Sequence, residues 1–288
     1  MPNIVRVYWL LALALTLAGM TAAVALLHWG PAIQTTDARY AAPPAPAGTC
    51  ESTATGGPAG RFERRTDDGV PYVLVTPRNY QPTRMHPLLL VYAPAGFGPD
   101  LSERYAGLTR LATSAGFLVA YAGSLPLGLE AVRKLSGVAD AVVARWCVDP
   151  ERIYATGHSD GGTVSMALAT LPEYRGKVRS VAVSGVGWKG EDFGDQECPP
   201  PFPILISHGA NDTHFPGFGR QAAQWWAACN GCAPDAREVD AEGCRSYQGC
   251  AAETVYCETD RSHWRWATEP GTIMNFLRRQ DRADLAIR

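Results

Sequence analysis

Residues 154–162 of the 288-residue chain read YATGHSDGG, and this segment gives the clearest indication of the fold. It contains Gly-x-Ser-x-Gly, preceded by an apolar run and followed by a helical pattern over Asp160–Leu171. A strand that turns sharply into a helix holds such a serine in a strained conformation, with its hydroxyl lifted above the sheet. Side chains at Gly157 and Gly161 would collide with neighbouring backbone. This context predicts a nucleophile at Ser159 rather than a chance match in a chain with 29 glycines.

Short apolar runs alternate with helical patterns on both sides of this turn. The strands are predicted at Pro71–Val75, Leu88–Ala93, Phe117–Tyr121, Arg152–Thr156, Val178–Val183, Ile204–His208 and Thr254–Cys257. The helices are predicted at Leu101–Ala115, Leu129–Cys147, Asp160–Leu171, Gln221–Cys229 and Thr272–Arg279, and a turn is predicted at Asp149-Pro150. The alternation predicts an α/β fold in which helices cover both faces of a mainly parallel sheet. We expect a single catalytic domain over residues 61–288.

The N-terminal segment predicts export. An uncharged run from Val7 to Leu27 is 21 residues long, and a helix of that length spans roughly the 30 Å core of a bilayer. Residues 1–29 are therefore interpreted as a signal-anchor helix or as a cleaved signal peptide, for which small residues near Ala22 allow cleavage. Residues 30–60 are rich in Pro, Ala and Gly and predict an extended linker. The protein is expected in the periplasm or outside the cell, with a membrane contact only if the helix is retained.

The overall composition is that of a globular protein without a polyanionic partner. Hydrophobic residues make up 46% of the chain, and 26 Lys and Arg stand against 28 Asp and Glu, which gives a net charge of −2. No basic stretch follows the pattern of a nucleic-acid-binding surface. Nucleic acid is therefore excluded as an expected partner.

The chain has an even number of cysteines, eight, and five of them lie between residues 229 and 257. The spacing Cys229-x-x-Cys232 is compatible with zinc, but the cysteines that follow do not form the second close pair of a zinc ribbon. Disulfides fit an exported protein better. The pairing stays open, since eight cysteines allow 105 connectivities.

A nucleophilic serine needs a histidine base and a carboxylate that orients it, and in α/β-hydrolases the acid and then the histidine follow the serine. His263 follows the last predicted strand and is the favoured base, whereas His208 ends an apolar strand and His214 lies too close to the favoured acid. That acid is Asp212, which follows a strand and a glycine turn. Asp260, three residues before His263, is the alternative.

An oxyanion hole in this fold uses two backbone N–H groups. One is expected from Asp160, directly after the nucleophile. The other is expected from the loop after Leu88–Ala93, where Pro94 has no N–H and the donor is Ala95 or Gly96.

With these residues in hand, the chain from about Gly69 to Phe276 resembles the poly(3-hydroxybutyrate) depolymerase / feruloyl esterase group of α/β-hydrolases. The resemblance rests on PLLLVYAPAGFG, ARWCVDPERIYATGHSDGGT, PILISHGANDTHFP, AACNGC and SHWRW. Three positions depart from the group: Ala93-Pro94 stands for the usual His-Gly, Arg261-Ser262 stands for glycines, and Asp160 adds a negative charge that disfavours anionic substrates. The triad Ser159, Asp212 and His263 matches.

The resemblance implies cleavage of a carboxylic ester through an acyl-enzyme, with no metal and no organic cofactor. Depolymerases of solid polyester usually carry an additional binding domain, so we expect a small or oligomeric substrate. Trp264 and Trp266 are candidates for an aromatic acyl pocket, and so are Trp225 and Trp226, although core positions are favoured for that pair. The alternatives are another acyl reaction on the same fold, by an acyltransferase or a peptidase, and a non-catalytic, membrane-tethered binding protein.

Overall fold

A computed structural model describes residues 50, 59–194, 196–234, 240 and 242–283 of the chain. The expected signal or anchor helix and nearly all of the expected linker lie outside the described residues. Within the described part, no helix is long and apolar enough to cross a bilayer.

Nine strands form one mixed sheet in the order β1-β2-β4-β3-β5-β6-β7-β9-β8. The strands β3 to β7 and β9 are parallel to their neighbours within this group, and β1, β2 and β8 join the edges antiparallel. Their bounds are β1 Arg61–Arg65, β2 Pro71–Val75, β3 His86–Tyr92, β4 Leu118–Ala122, β5 Val148–His158, β6 Ser180–Ser184, β7 Ile204–Gly209, β8 Cys244–Ser246 and β9 Thr254–Thr259.

Helices cover both faces of the sheet. Their bounds are α1 Pro99–Ala106, α2 Thr109–Ser114, α3 Leu129–Val143, α4 Asp160–Thr170, α5 Phe218–Cys229 and α6 Pro270–Ala283. Alternate residues of β3 divide between two cores: Leu88 and Leu90 pack with residues of α3, α4 and α5, whereas Leu89 packs with residues of α1, α2 and α6. The α/β-hydrolase fold with a mostly parallel sheet is therefore confirmed.

Three details of the sequence prediction are wrong. The single helix predicted at Leu101–Ala115 is two helices, because Gly107 adopts a left-handed conformation (φ 63°) that ends α1. The helix predicted to reach Cys147 ends at Val143. The turn predicted at Asp149-Pro150 lies inside β5, where the register between β3 and β5 shifts and an irregular ladder tolerates proline.

Two edge strands, β1 and β8, were not predicted. The sequence of β1 is RFERR, and four of its five residues are exposed, so it has no apolar alternation to recognise. The strand β8 has only three residues, and Cys244 lies directly opposite Cys257 in β9, to which it is disulfide-bonded.

All eight cysteines form disulfides. The pairs are Cys50–Cys147, Cys198–Cys229, Cys232–Cys250 and Cys244–Cys257. The disulfide interpretation is confirmed over the zinc alternative, because Cys229 and Cys232 bond to different partners. Four disulfides are typical of a protein that folds in an oxidising compartment.

A buried ion pair fixes the strand that leads to the predicted nucleophile. Asp281 in α6 accepts two hydrogen bonds from Arg152 in β5, at 2.5 and 2.7 Å, and one from the hydroxyl of Tyr154 at 2.9 Å. A bidentate arginine–carboxylate pair restricts both partners to one geometry. The C-terminal helix is thereby attached to the centre of the sheet.

Candidate active site

Ser159 occupies the turn between β5 and α4, as the sequence predicts. Among the described residues it is the one non-glycine residue with a positive φ (56°), which places it in a strained region of backbone conformation. A Cβ at Gly157 would lie 2.3 Å from the carbonyl oxygen of Gly161, and a Cβ at Gly161 would lie 2.0 Å from the carbonyl oxygen of Tyr92. The two glycines therefore allow the helix to begin directly against β3 and β5.

Two hydrogen bonds connect the three predicted triad residues. The Nε2 atom of His263 lies 2.9 Å from the Oγ atom of Ser159, and its Nδ1 atom lies 2.7 Å from Oδ2 of Asp212. All three side chains are buried. Since a carboxylate accepts from Nδ1–H, the Nε2 atom of neutral His263 is left to accept the serine hydroxyl proton.

Asp212 is held as an anion by its own loop. Its Oδ1 atom accepts the backbone N–H groups of His214 and Phe215, both at 2.9 Å. Burial acts to raise the pKa of Asp212, but the hydrogen bonds from Phe215 and His263 outweigh it and hold the pKa below its usual value. The orienting group is therefore charged at neutral pH.

The predicted oxyanion donors lie at the carboxyl edge of the sheet. Within the described part of the chain, the backbone N–H groups of Asp160, Ala95 and Gly96 donate to no backbone carbonyl. The loop of Ala95 and Gly96 is closed by a turn in which the N–H of Phe97 donates to the carbonyl of Pro94 at 3.1 Å. Both loop candidates are free to donate, so the choice between them stays a prediction.

Asp160 also places a carboxyl group next to the nucleophile. Burial raises the pKa of Asp160, whereas the positive charges that His263 and His214 can carry oppose this change. The raised pKa favours the neutral form of Asp160 more than exposure would, so the negative charge expected beside Ser159 stays a prediction.

Comparison with known proteins gives the chain a family. No protein-family model matches the sequence. Feruloyl esterase D of Neurospora crassa is 30% identical over 202 residues, which cover 62% of this chain and 68% of the relative. This chain belongs to the feruloyl esterase-like family of α/β-hydrolases. A probable feruloyl esterase C of Aspergillus terreus is 28% identical over 212 residues, or 68% of this chain and 77% of that protein.

Solved structures share the fold of this chain. Acetyl xylan esterase from Aspergillus awamori has a TM-score of 0.58 and 14% identity, and the match covers 76% of this chain and 99% of that one. The apo form of Thermogutta terrifontis esterase 2 has a TM-score of 0.55 and 14% identity, with coverage of 83% and 98%. The feruloyl esterase-like chain is a carboxylic-ester hydrolase, and the non-catalytic alternative is thereby set aside.

The other candidate residues of this feruloyl esterase-like chain lie in different positions. The carboxylate of Asp260 accepts no hydrogen bond from His263, whose Nδ1 atom is paired with Asp212. The backbone carbonyl of Asp260 accepts a hydrogen bond from the side-chain amide of Asn211 at 2.6 Å. His208 lies behind Asp212, and its Nε2–H donates to the carbonyl of Phe215 at 2.8 Å. The ring of His214 stacks on that of His263, with 4.9 Å between centroids.

The four tryptophans that are candidates for the acyl pocket divide into one exposed and three covered residues. Trp264 is 80% exposed next to His263, whereas Trp226 is fully buried and Trp266 is buried against His158. Trp225 stacks on Phe193. Among these four, Trp264 alone presents most of its ring to solvent beside the predicted triad.

One residue close to the triad was not predicted. His158, which precedes the nucleophile, is only 3% exposed, and its ring centroid lies 5.0 Å from that of His263. Nothing in the motif identifies it, because the position before the serine is variable in Gly-x-Ser-x-Gly.

Among the described residues, no group of three or more His, Cys, Asp or Glu side chains is arranged to hold a metal ion.

Proposed function

We propose that this protein is an exported serine esterase that cleaves a small or oligomeric carboxylic ester through an acyl-enzyme on Ser159. The observation that carries the proposal is the pair of hydrogen bonds from Ser159 to His263 (2.9 Å) and from His263 to Asp212 (2.7 Å). A serine is activated for acyl transfer when its hydroxyl is hydrogen-bonded to a neutral imidazole that is itself hydrogen-bonded to a carboxylate.

In the first half of the reaction, Oγ of Ser159 attacks the ester carbonyl while its proton passes to Nε2 of His263. The charge of the resulting imidazolium is stabilised by Asp212, which stays ionised throughout. The tetrahedral intermediate then expels the alcohol, which takes the proton from His263. The acyl group is left on Ser159.

In the second half, water attacks the acyl-enzyme and gives its proton to His263, and the carboxylic acid leaves as Ser159 recovers its proton. In both halves the negative charge on the carbonyl oxygen is stabilised by the N–H of Asp160 and by the N–H of Ala95 or Gly96. Such preorganised donors are worth about 3–4 kcal/mol each at the transition state.

We propose an ester with an aromatic acyl group of the feruloyl type. The relatives in Neurospora and Aspergillus are named feruloyl esterases. Trp264 supports this choice, because an indole that is 80% exposed beside His263 offers a flat apolar surface to an aromatic ring. A second aromatic ring, that of Phe215, meets His263 edge-on at 4.9 Å.

Export is supported by the four disulfides, which need an oxidising environment to form. We propose residues 61–288 as the catalytic domain and the periplasm or the extracellular space as its location. Cys50 is bonded to Cys147, so a disulfide joins the proposed linker to this domain.

The test compares ester hydrolysis by the wild type with Ser159→Ala, using nitrophenyl acetate, a hydroxybutyrate oligomer and a methyl feruloyl ester. The protein is purified under oxidising conditions. The matched control is Ser114→Ala, since Ser114 is an exposed serine at the end of α2. We expect Ser159→Ala to lose a factor on the order of 10⁴ or more in kcat, and Ser114→Ala to match the wild type.

Two outcomes would count against the proposal. Equal turnover by the wild type and Ser159→Ala would rule out Ser159 as the nucleophile. Turnover of the acetate or the oligomer in clear preference to the feruloyl ester would rule out the aromatic acyl group while leaving the serine mechanism in place.

A further inference from the structure

The side chain of His158 contacts the backbone of the proposed base. Its Nε2 atom lies 2.7 Å from the carbonyl oxygen of His263, and its Nδ1 atom lies 3.0 Å from Oγ of Ser184. A carbonyl oxygen only accepts hydrogen bonds, so Nε2 of His158 carries the hydrogen. In the neutral ring, Nδ1 must then accept the hydroxyl hydrogen of Ser184.

Ser184 continues the chain of hydrogen bonds to the far end of the segment 263–267, which begins at His263 and is called the histidine loop below. Its Oγ atom accepts the backbone N–H of Ala267 at 3.0 Å, and its own backbone carbonyl accepts the N–H of Ser159, also at 3.0 Å. The direction of every hydrogen in the series is thereby fixed, from Ala267 through Ser184 and His158 to His263. His158, at the end of β5, and Ser184, at the end of β6, are therefore hydrogen-bonded to the two ends of the segment 263–267, and Ser184 is also hydrogen-bonded to Ser159.

The surroundings of His158 favour its neutral form. Its ring lies among those of His263, Tyr105 and Trp266, with centroids 5.0 to 5.8 Å away. Burial lowers the pKa of His158 to about 4, so the ring is uncharged at neutral pH. A neutral ring also places no second positive charge beside His263, which itself becomes positively charged during catalysis.

We propose that His158 is a positioning residue, which holds the backbone of His263 through its Nε2–H and thereby keeps the base in line with Ser159. The proposal rests on the proposed role of His263. A base must lie within hydrogen-bond reach of the proton that it removes, and misplacement by 1 Å costs about 10²-fold in rate. His263 lies in an irregular segment between β9 and α6, so its position depends on such contacts rather than on a helix or strand.

The test uses His158→Phe, which keeps a planar ring but has no donor, and His158→Gln, whose side-chain amide offers an N–H in its place. We expect His158→Phe to lower kcat by about 10²-fold with little change in KM, because alignment rather than substrate binding is lost. We expect His158→Gln to recover at least about tenfold of that loss, a recovery that packing alone would not produce. The thermal unfolding midpoint is measured for each variant, and kinetics are recorded well below it.

Ser184→Ala is a second, milder variant, which removes the hydroxyl and leaves the imidazole in place. We expect it to lower kcat by about tenfold, again with KM nearly unchanged. Wild-type kcat in Ser184→Ala would overturn the proposal even if His158→Phe failed to fold. A His158→Gln variant as slow as His158→Phe would overturn it as well.

Ser159→Ala is assayed in parallel to separate the two proposals. If Ser159→Ala is inert and His158→Phe is as active as the wild type, the positioning role of His158 is wrong and the proposed function stands. If Ser159→Ala is active, the proposed function is wrong, and the role of His158 is overturned with it.

Discussion

The turn that carries Ser159 and the loop that carries His263 are held in place by different kinds of interaction. The turn lies between a strand and a helix, and its shape depends on backbone atoms in direct contact, as at Gly157 and Gly161. The histidine loop has no regular structure, and side chains from distant parts of the chain hold it, such as His158 and Ser184. A constraint on local backbone leaves a motif in the sequence, whereas a constraint imposed by distant side chains does not.

The largest expected effect is at the turn. Gly161→Ala would place a methyl group 2.0 Å from the carbonyl oxygen of Tyr92, a backbone atom that cannot move without shifting β3. We expect a loss of about 4 kcal/mol or more in the free energy of unfolding, measured by urea denaturation, or no folded protein at all.

Gly137→Ala is the matched control, since nothing lies within 4 Å of a Cβ at Gly137 in α3. A helix gains roughly 0.5–1 kcal/mol when an interior glycine becomes alanine. If Gly161→Ala unfolded within about 1 kcal/mol of the wild type, the close backbone contacts would not be what shapes the turn.

A smaller loss in the free energy of unfolding is expected when the pH is lowered, because His158, which contacts the histidine loop, is buried. The pKa of His158 falls from 6.5 to about 4 on folding, so between these values the unfolded chain binds a proton that the folded chain does not. The contribution of neutral His158 to the free energy of unfolding is therefore fully present above pH 6.5 and is lost as the pH falls toward 4. From pH 7 to pH 4 we expect a loss of about 2–3 kcal/mol that is attributable to this residue.

The measurement is the free energy of unfolding of the wild type and of His158→Phe across this pH range. The ionisable groups that interact with the ring, His263, Asp212 and His208, are present in both proteins, so the difference between the two slopes isolates His158. If the unfolding free energies of the two proteins changed equally with pH, burial would not lower the pKa of His158.

The smallest expected effect is at the exposed side of the same loop. Trp264→Ala removes a ring that is 80% exposed, so we expect the unfolding free energy to change by less than about 0.5 kcal/mol. We expect kcat/KM for a feruloyl ester to fall about tenfold through the lost aromatic contact, and kcat/KM for an acetyl ester to change little. An equal fall for both esters would place Trp264 outside the acyl site.

The sequence predicted the parts of the fold that depend on local pattern. The buried strands β3 to β7 and the helix after Ser159 follow from apolar runs and from the motif, and the order of Ser159, Asp212 and His263 follows from the fold. The break at Gly107 was missed, because the helical pattern continues across it. The edge strand β1 was missed because its residues are mostly charged, and His158 was missed because its partners lie 26 and 105 residues away in the sequence.

The most direct test of the account is to trap the acyl-enzyme. The wild type, Ser159→Ala and His263→Ala are mixed with a nitrophenyl ester, quenched with acid within milliseconds, digested and analysed by mass spectrometry. We expect an acyl group on the peptide that contains Ser159 in the wild type, none in Ser159→Ala, and much slower formation in His263→Ala. An acyl group on another residue, or ester turnover that survives Ser159→Ala, would contradict it.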